Sequence, residues 1–405
     1  MKKIASILLI SVMCVLALSA ADKTAGEAMA EEYKATSAAY TSIGSTFAPE
    51  NARMLGMGGA GLAFEDAENG LFYNPATLGA GELRISLPSV SVSVYHVYDI
   101  LKEDLINKIS GDKSELVSSI LHVVGTQYAP LVKADVSTSV ILPFGLGFGV
   151  YAGDTLSTYS GSAIDQVDVA LVAGYGHRFY LGNISVSAGV TAEYDALVFN
   201  KRVKIADVMK ADDVMSTSLT LASGWSGKLP VFDAGLTVDI SGLSASVVVT
   251  NVLESSFDMT VRESMIKDLE FSSIKDDVFS ETADFKVSGK RTVSAGLAGD
   301  FSGNLLGLRF ALDVNDIQGL ADSVGSAQDA KRVILRYVNA GLEVSLADFI
   351  AARVGLNSGY WTVGATLRLA GVFRVDAAYY WKEMGASAGS RGLDGLTVRF
   401  NLGWE

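Results

Sequence analysis

The C-terminal third of the chain alternates strictly. From Tyr360 to Leu369 the odd positions are Trp361, Val363, Ala365, Leu367 and Leu369, and the even ones Tyr360, Thr362, Gly364, Thr366 and Arg368. After Ala370-Gly371 the pattern resumes, with Phe373, Val375, Ala377, Tyr379 and Trp381 interleaved by Val372, Arg374, Asp376, Ala378, Tyr380 and Lys382. The last segment sets Leu396, Val398, Phe400, Leu402 and Trp404 against Thr397, Arg399, Asn401, Gly403 and Glu405. Successive side chains of a strand point to opposite faces, so each segment has one apolar face and one small or polar face. The breaks between such segments alternate in length. Short turns fall at Pro143-Phe144-Gly145, Arg178 to Asn183, Ser241-Gly242, Ser302-Gly303-Asn304, Ala347-Asp348 and Ala370-Gly371. Longer polar stretches lie near 99–131, 157–165, 197–228, 254–290, 316–332 and 383–394, with one brief link at Asn357-Ser358-Gly359. Strands of roughly ten residues, joined by short turns on one side and long loops on the other, fit a bilayer crossed at a tilt, and the expectation is an all-β antiparallel up-and-down barrel of about 14 strands.

A soluble β-sandwich also alternates, and composition separates the two. Mean hydropathy is +0.31, charged residues make up 19% and glycine numbers 41, yet no segment past the N-terminus has the makings of a membrane helix. The nearest, Val136 to Gly153, carries Pro143 and four glycines and reads as two strands and a turn. An exported apolar chain without membrane helices points to a transmembrane barrel. Export is read from MKKIASILLISVMCVLALSAAD: Lys2 and Lys3, an apolar run from Ile4 to Leu18, then Ser19-Ala20-Ala21. That is a cleavable signal over residues 1–21. A lipoprotein signal using Cys14 is the rival, opposed by Met13 where a small residue is wanted. Cys14 is the only cysteine, so the mature chain holds no disulfide, zinc-thiolate site or cysteine nucleophile.

With the apolar positions toward lipid, Tyr360, Trp361, Tyr379, Tyr380, Trp381 and Trp404 fall near strand ends, where ring side chains mark membrane interfaces. The lumen then receives Arg309, Asp313, Arg353, Arg368, Arg374, Asp376 and Arg399 among many small residues. Such charges either line a ligand path or brace the wall as an ion-pair network. The loop Asp99 to Val124 has helical spacing broken at Gly111, and residues 201–215 and 261–280 also mix apolar and charged positions at helical intervals. Helices there either form a greasy groove or cap the barrel. Catalysis finds little support: His96, His122 and His177 are scattered, without metal-ligand spacing or a nucleophile elbow, so no enzyme activity, metal or cofactor is expected. A net charge of −13 argues against nucleic acid.

The six residues Gly56 to Gly61, GMGGAG, satisfy the dinucleotide spacing G-x-G-x-x-G. Pro49 precedes them where a buried strand should be, and Asn74-Pro75 follows where a crossover helix should run. The stretch Ala52-Arg53 … Gly56-Met57-Gly58-Gly59-Ala60-Gly61-Leu62-Ala63 … Asn74-Pro75-Ala76 … Leu78 instead resembles the N-terminal plug of FadL-type outer-membrane transporters of long-chain fatty acids and other hydrophobic compounds. It is more similar still to their PorV-like and spirochaete-type relatives. Gly341-Leu342-Glu343, Arg353 to Leu356 and the last strands are also similar to that group.

The resemblance implies a periplasmic segment at 22–51, a plug at 52–82 and a barrel at 83–405. It implies passive uptake of hydrophobic small molecules, foremost long-chain fatty acids, across the outer membrane. Its partners are then outer-membrane lipid, the ligand and the barrel-assembly machinery. The alternative within the group is a structural or secretion-associated barrel that binds a periplasmic or secreted protein. In the plug, Gly56, Gly58, Gly59 and Gly61 are expected to serve close approach to the wall, and Asn74, Pro75 and Ala76 a fixed turn into the first strand at Leu83 to Tyr98. Backbone groups of the plug are expected to pair with lumen side chains such as Arg309, Arg368 or Arg399; a periplasmic loop of no consequence is the competing reading. Glu405 after Trp404, and a helical insertion in the first outer loop, depart from the group's pattern.

Overall fold

A computed structural model describes residues 48–65, 67–103, 119, 122–123, 129–159, 162–200, 203–204, 224–262, 285–303, 305–325, 329–347, 349–369 and 372–404. The signal at 1–21, nearly all of the segment 22–51, most of the 99–124 hairpin and the stretches 201–215 and 261–280 lie wholly or largely outside them.

The described strands are β1 (Arg84–Tyr95), β2 (Ala129–Ile141), β3 (Leu146–Tyr159), β4 (Ser162–Leu181), β5 (Ile184–Asn200), β6 (Val203–Lys204), β7 (Gly224–Ile240), β8 (Leu243–Thr250) and β9 (Ser256–Arg262). They continue as β10 (Phe285–Ser288), β11 (Thr292–Ser302), β12 (Leu306–Val314), β13 (Val338–Leu346), β14 (Ile350–Asn357), β15 (Tyr360–Leu369), β16 (Phe373–Glu383) and β17 (Gly392–Trp404). All pairings are antiparallel, and β1 bonds to both β2 and β17, which closes the sheet on itself. β9 and β10 pair with each other and prolong β8 and β11 past breaks at Asn251–Ser255 and 289–291, while β6 lies along the outer end of β4. The wall is therefore a closed barrel of 14 antiparallel strands. Closure removes every sheet edge, so a backbone surrounded by hydrocarbon has all its polar groups paired. Among the described residues no helix is long and apolar enough to cross a membrane.

Alternation sorts the two faces. On β15, Trp361, Val363, Ala365, Leu367 and Leu369 are exposed outward, whereas Thr362 and Thr366 are buried in the interior. The same outward apolar band continues around the barrel through Val136, Phe148, Leu171, Phe179, Val190, Leu236, Leu297, Phe310 and Val354. A belt of exposed apolar side chains on the outside of a closed barrel is a lipid-facing surface. Trp361 and Tyr379 stand on it with ring centroids 5.7 Å apart, and Tyr360 stacks on Trp381 at 6.0 Å. Tyr380, expected in the interface belt, faces inward and is fully buried. Its even position in β16 puts it on the face of Arg374 and Asp376 rather than that of Tyr379.

Two expectations about length are corrected. The stretch 157–165 is mostly strand: β3 runs to Tyr159 and β4 starts at Ser162. β4 spans 20 residues, well beyond the ten or so that cross a bilayer. Its polar outer part therefore continues the ladder above the membrane, where polar side chains cost nothing. The first strand ends at Tyr95 rather than Tyr98, because His96 takes a left-handed conformation (φ 57°) and starts a helical turn, α3 (Val97–Lys102). The β12–β13 loop carries two helices, α4 (Ile317–Val324) and α5 (Ala330–Tyr337), each capped by an aspartate, Asp316 or Asp329.

Long loops outside and short turns inside is the orientation this design predicts. On whole cells an impermeant thiol reagent should label Lys331→Cys in α5 and spare Leu305→Cys in the β11–β12 turn. The opposite result would invert the barrel.

Candidate functional site in the barrel lumen

An eight-stranded barrel is filled by its own side chains; one of 14 strands is too wide for that. Here the interior is occupied by the chain itself. Residues 48–80 form α1 (Ala52–Gly56), α2 (Ala67–Phe72) and a 3₁₀ helix (Pro75–Ala80), and most of their side chains are buried against the inner wall.

α1 enters under an Asn51 cap whose side chain accepts from the Met54 N–H at 3.1 Å. It lies on β14 to β16 so closely that a Cβ on Gly56 would stand 2.9 Å from the Gly364 Cα. Gly58 has φ +75°, a conformation other residues resist, and a Cβ there would lie 2.6 Å from the Ala340 carbonyl oxygen. The wall matches it: Cβ atoms on Gly341 or Gly355 would run into the backbone of Met57 and Gly58. Gly59 (φ +78°) abuts the Asn339 side chain, and Gly61 (φ +144°) sits beside Met54 and Phe64. The short helix before the glycines and the wall strands pressed against them leave no dinucleotide turn.

Polar pairing is as specific as the packing. The backbone N–H groups of Gly61 and Leu62 both donate to Asp313 Oδ2, at 2.8 and 2.9 Å. Thr362 donates to the Gly56 carbonyl at 3.0 Å, and Arg399 Nη1 to the Glu50 carbonyl at 2.9 Å. Asn74 is fully buried; its Oδ1 accepts from the Ala76 N–H while its Nδ2 faces the Leu62 carbonyl at 2.9 Å and Thr237 at 3.2 Å. Asn74 and Pro75 begin the 3₁₀ helix rather than making a bare turn. Asn74 is its cap and Pro75 its first residue, the position where a missing N–H costs nothing. Ala76, also fully buried, packs by its Cβ over Gly235.

Charged groups bind this segment to the wall at several points, Glu65 to Arg178 of β4 among them. Around α1, Arg53 reaches both oxygens of Glu343, Nε to Oε2 at 2.9 Å and Nη2 to Oε1 at 2.7 Å. Glu343 also pairs with Arg353 and, at 3.7 Å, with Arg309; Arg353 continues to Asp376 at 3.3 Å, which takes Arg374 at 2.6 Å. Nearer the chain entry, Glu50 pairs with Lys133 at 3.2 Å, and its N–H donates to Asp135 at 3.3 Å. Burial alone would raise the Glu50 carboxyl; the charges of Lys133 and Lys382 outweigh this and hold it below the usual carboxylate range.

Of the seven wall residues singled out in the sequence, Arg353, Arg374, Asp376 and Arg399 are thus buried in ion pairs or bonds to residues 50 and 343, and Asp313 holds the Gly61–Leu62 backbone. Arg309 bonds mainly to Asp300, at 2.6 Å. Arg368 stands half-buried at the short-turn end, opposite Arg374 in the ladder. Arg53 and Glu343, a bidentate link between segment and wall, were visible only as parts of a motif. Their inward parity is the signal that marks Glu343.

Apolar patches complete the lumen. Leu71, Phe72 and Leu78 pack with Ala48, Ile141, Tyr151, Ala170 and Val172. On β16, β17 and β1, Tyr95, Ala378, Tyr380 and Leu393 gather with Leu55 and Met384, and Met57, Ala60, Ala63 and Phe64 pack on Ala298 and Ala311.

Fold and interior together define a membrane-spanning barrel of 14 strands with an N-terminal segment lodged in its lumen. No protein-family model matches the chain, and no curated protein matches it. Among solved structures it is similar to the CymD monoaromatic hydrocarbon channel (13% identity, TM-score 0.43, covering 87% of this chain and 96% of that one). It is also similar to the Pseudomonas putida toluene transporter TodX (11%, 0.42, 88% and 98%) and to a Pseudomonas aeruginosa FadL homologue (11%, 0.43, 89% and 99%).

Proposed function

We propose that this chain is an outer-membrane channel for the passive uptake of hydrophobic small molecules, with residues 52–82 as the plug that closes it. The observation that carries the reading is the apolar and aromatic surface inside the lumen. Tyr95, Tyr380, Leu393, Leu55 and Met384 cluster where a water-filled pore would carry polar side chains. Long-chain fatty acids are the narrower candidate, and the PorV-like branch the narrower placing, both taken from the resemblance of the plug motif. Among the described residues no nucleotide site is at hand to drive passage, and flux down the gradient is the reading that follows.

The test is uptake by cells with and without the protein, using a radiolabelled fatty acid and a radiolabelled aromatic hydrocarbon side by side. The channel reading expects at least one rate to fall on deletion and to return with the intact gene. Purification from native membrane adds an independent check, since co-purifying apolar compounds are identified by mass spectrometry. Unchanged uptake together with recovery of a stoichiometric protein partner would favour the secretion-associated barrel instead.

A further inference from the structure

The charges of the lumen are divided between its two walls. Arg309, Arg353, Arg374 and Arg399 lie on β12 to β17, the last three bonded to a carboxylate or to the lodged segment, while Arg178, at the short-turn end of β4, is taken up by Glu65 and Asp239. The opposite wall, on β4, β5 and β7, carries Asp168, Glu193, Asp195 and Asp233, all buried. Pro75 rests against Gly189 of β5; farther along the same face, away from the short turns, come Thr191, Glu193 and Asp195. These carboxylates therefore stand just beyond the 3₁₀ helix on the outer side, beside the patch where Leu71 and Phe72 pack on Tyr151, Ala170 and Val172.

Among the described residues no cation answers Glu193 or Asp195, whereas Asp168 accepts from the Gln166 amide at 2.8 Å. The charged groups that act on Asp195 are Asp233 and Asp168, and those that act on Glu193 are Asp233 and Asp195; no lysine or arginine is among them. Asp195 has no exposed surface, and neither of its carboxylate oxygens has a hydrogen-bond partner. The Thr191 hydroxyl on the same face and the Tyr151 hydroxyl two strands away also lack partners. In the ladder Tyr151, Ala170 and Asp195 form one row. A buried carboxylate without a partner costs several kcal/mol, and such a group persists where something outside the chain completes it. Among the described residues no three His, Cys, Asp or Glu side chains are arranged as metal ligands. The missing partner is then a hydrogen-bond donor carrying positive charge, and the apolar surface alongside calls for an apolar body attached to it.

We propose that this acidic wall receives the ammonium end of an amphiphile, so that the channel prefers an alkyl or aryl amine over the carboxylate or alcohol of the same length. The inference rests on the channel reading and narrows its substrate class. A fatty-acid carboxylate would find no cation on this wall, and the buried arginines opposite are already engaged.

The experiment measures binding of dodecylamine, dodecanol and dodecanoate, each radiolabelled, to the full-length protein in lipid vesicles, against vesicles without protein. A charge-assisted hydrogen bond in place of a neutral one predicts binding of the amine about tenfold tighter than that of the alcohol. The double variant Glu193→Gln/Asp195→Asn should lose that preference and keep its affinity for dodecanol. The variant should fold, since it exchanges two carboxyls that have no cationic partner among the described residues for amides of the same shape. Equal affinity for amine and alcohol, or a preference unchanged in the variant, would overturn the inference and leave the channel reading standing. Binding of none of the three would overturn both.

Discussion

Deleting residues 52–78 should raise single-channel conductance in planar bilayers from a closed or nearly closed baseline by about an order of magnitude or more, because a 14-stranded wall cleared of its contents encloses water. The expectation follows from what the segment does for the lumen. Its helices and glycine turns lie in van der Waals contact with β1, β3 to β5, β7 and β14 to β17, leaving those inner faces no room for a continuous water column. A single substitution tests the same point without deletion. Gly355→Val places a side chain into the backbone of Met57 and Gly58, and backbone cannot yield as a flexible side-chain tip does. The variant should displace α1 and give an intermediate conductance while the outward face of β14 keeps its lipid contacts. Correctly folded deletion and Gly355→Val proteins that both conduct like the intact chain would end the plug reading.

The parts of this structure that were legible in the sequence are those governed by a period of two. Alternation in β15, β16 and β17 separates Trp361, Val363 and Leu367 from Thr362, Thr366 and Arg368 before any coordinates, and the inward placing of Arg353, Arg374, Asp376 and Arg399 follows from parity alone. The strand ends were less legible. Above the membrane both faces of β4 and β5 meet water or protein, so the apolar signal stops while the ladder continues. The acidic wall escaped for a related reason. Asp168 and Asp195 share their inward faces with Ala170, Val172 and Leu197, so that face does not read as polar. The link between Arg53 and Glu343 was beyond reach of any local pattern, since the two lie 290 residues apart. Each has a visible reason to face inward, but nothing in the chain says they meet. The glycines were readable as a device for close approach, and their partners Gly341, Gly355 and Gly364 on the wall were not, because a strand glycine has many uses.

Glu343→Ala should destabilise the protein by ~3–5 kcal/mol, the usual cost of removing one member of a buried ion pair. The magnitude rests on what remains. Glu343 is the single carboxylate between Arg53 and Arg353, with Arg309 at 3.7 Å. Without it Arg53 loses both of its bonds to the wall carboxylate, and Arg353 keeps only Asp376 and Thr366. Two guanidinium groups buried almost completely then face one another across the gap the carboxylate filled. Arg53→Met should cost less, since Glu343 keeps Arg353 as a partner and the methionine stem still covers Phe64, over which the Arg53 guanidinium now lies at 5.7 Å. The order of the two variants separates a network from a simple pair, because a pair isolated from other charges would suffer about equally from loss of either member. Urea unfolding in vesicles, followed by tryptophan fluorescence, gives both values. A Glu343→Ala midpoint equal to that of the intact protein, or one lowered no further than that of Arg53→Met, would show that the wall does not depend on this carboxylate. The same variants in planar bilayers tell which part gives way. Loss of the Arg53 contact alone should let α1 leave its seat and raise conductance, whereas Glu343→Ala should both raise conductance and weaken the barrel, since it also unpairs Arg353 within the wall.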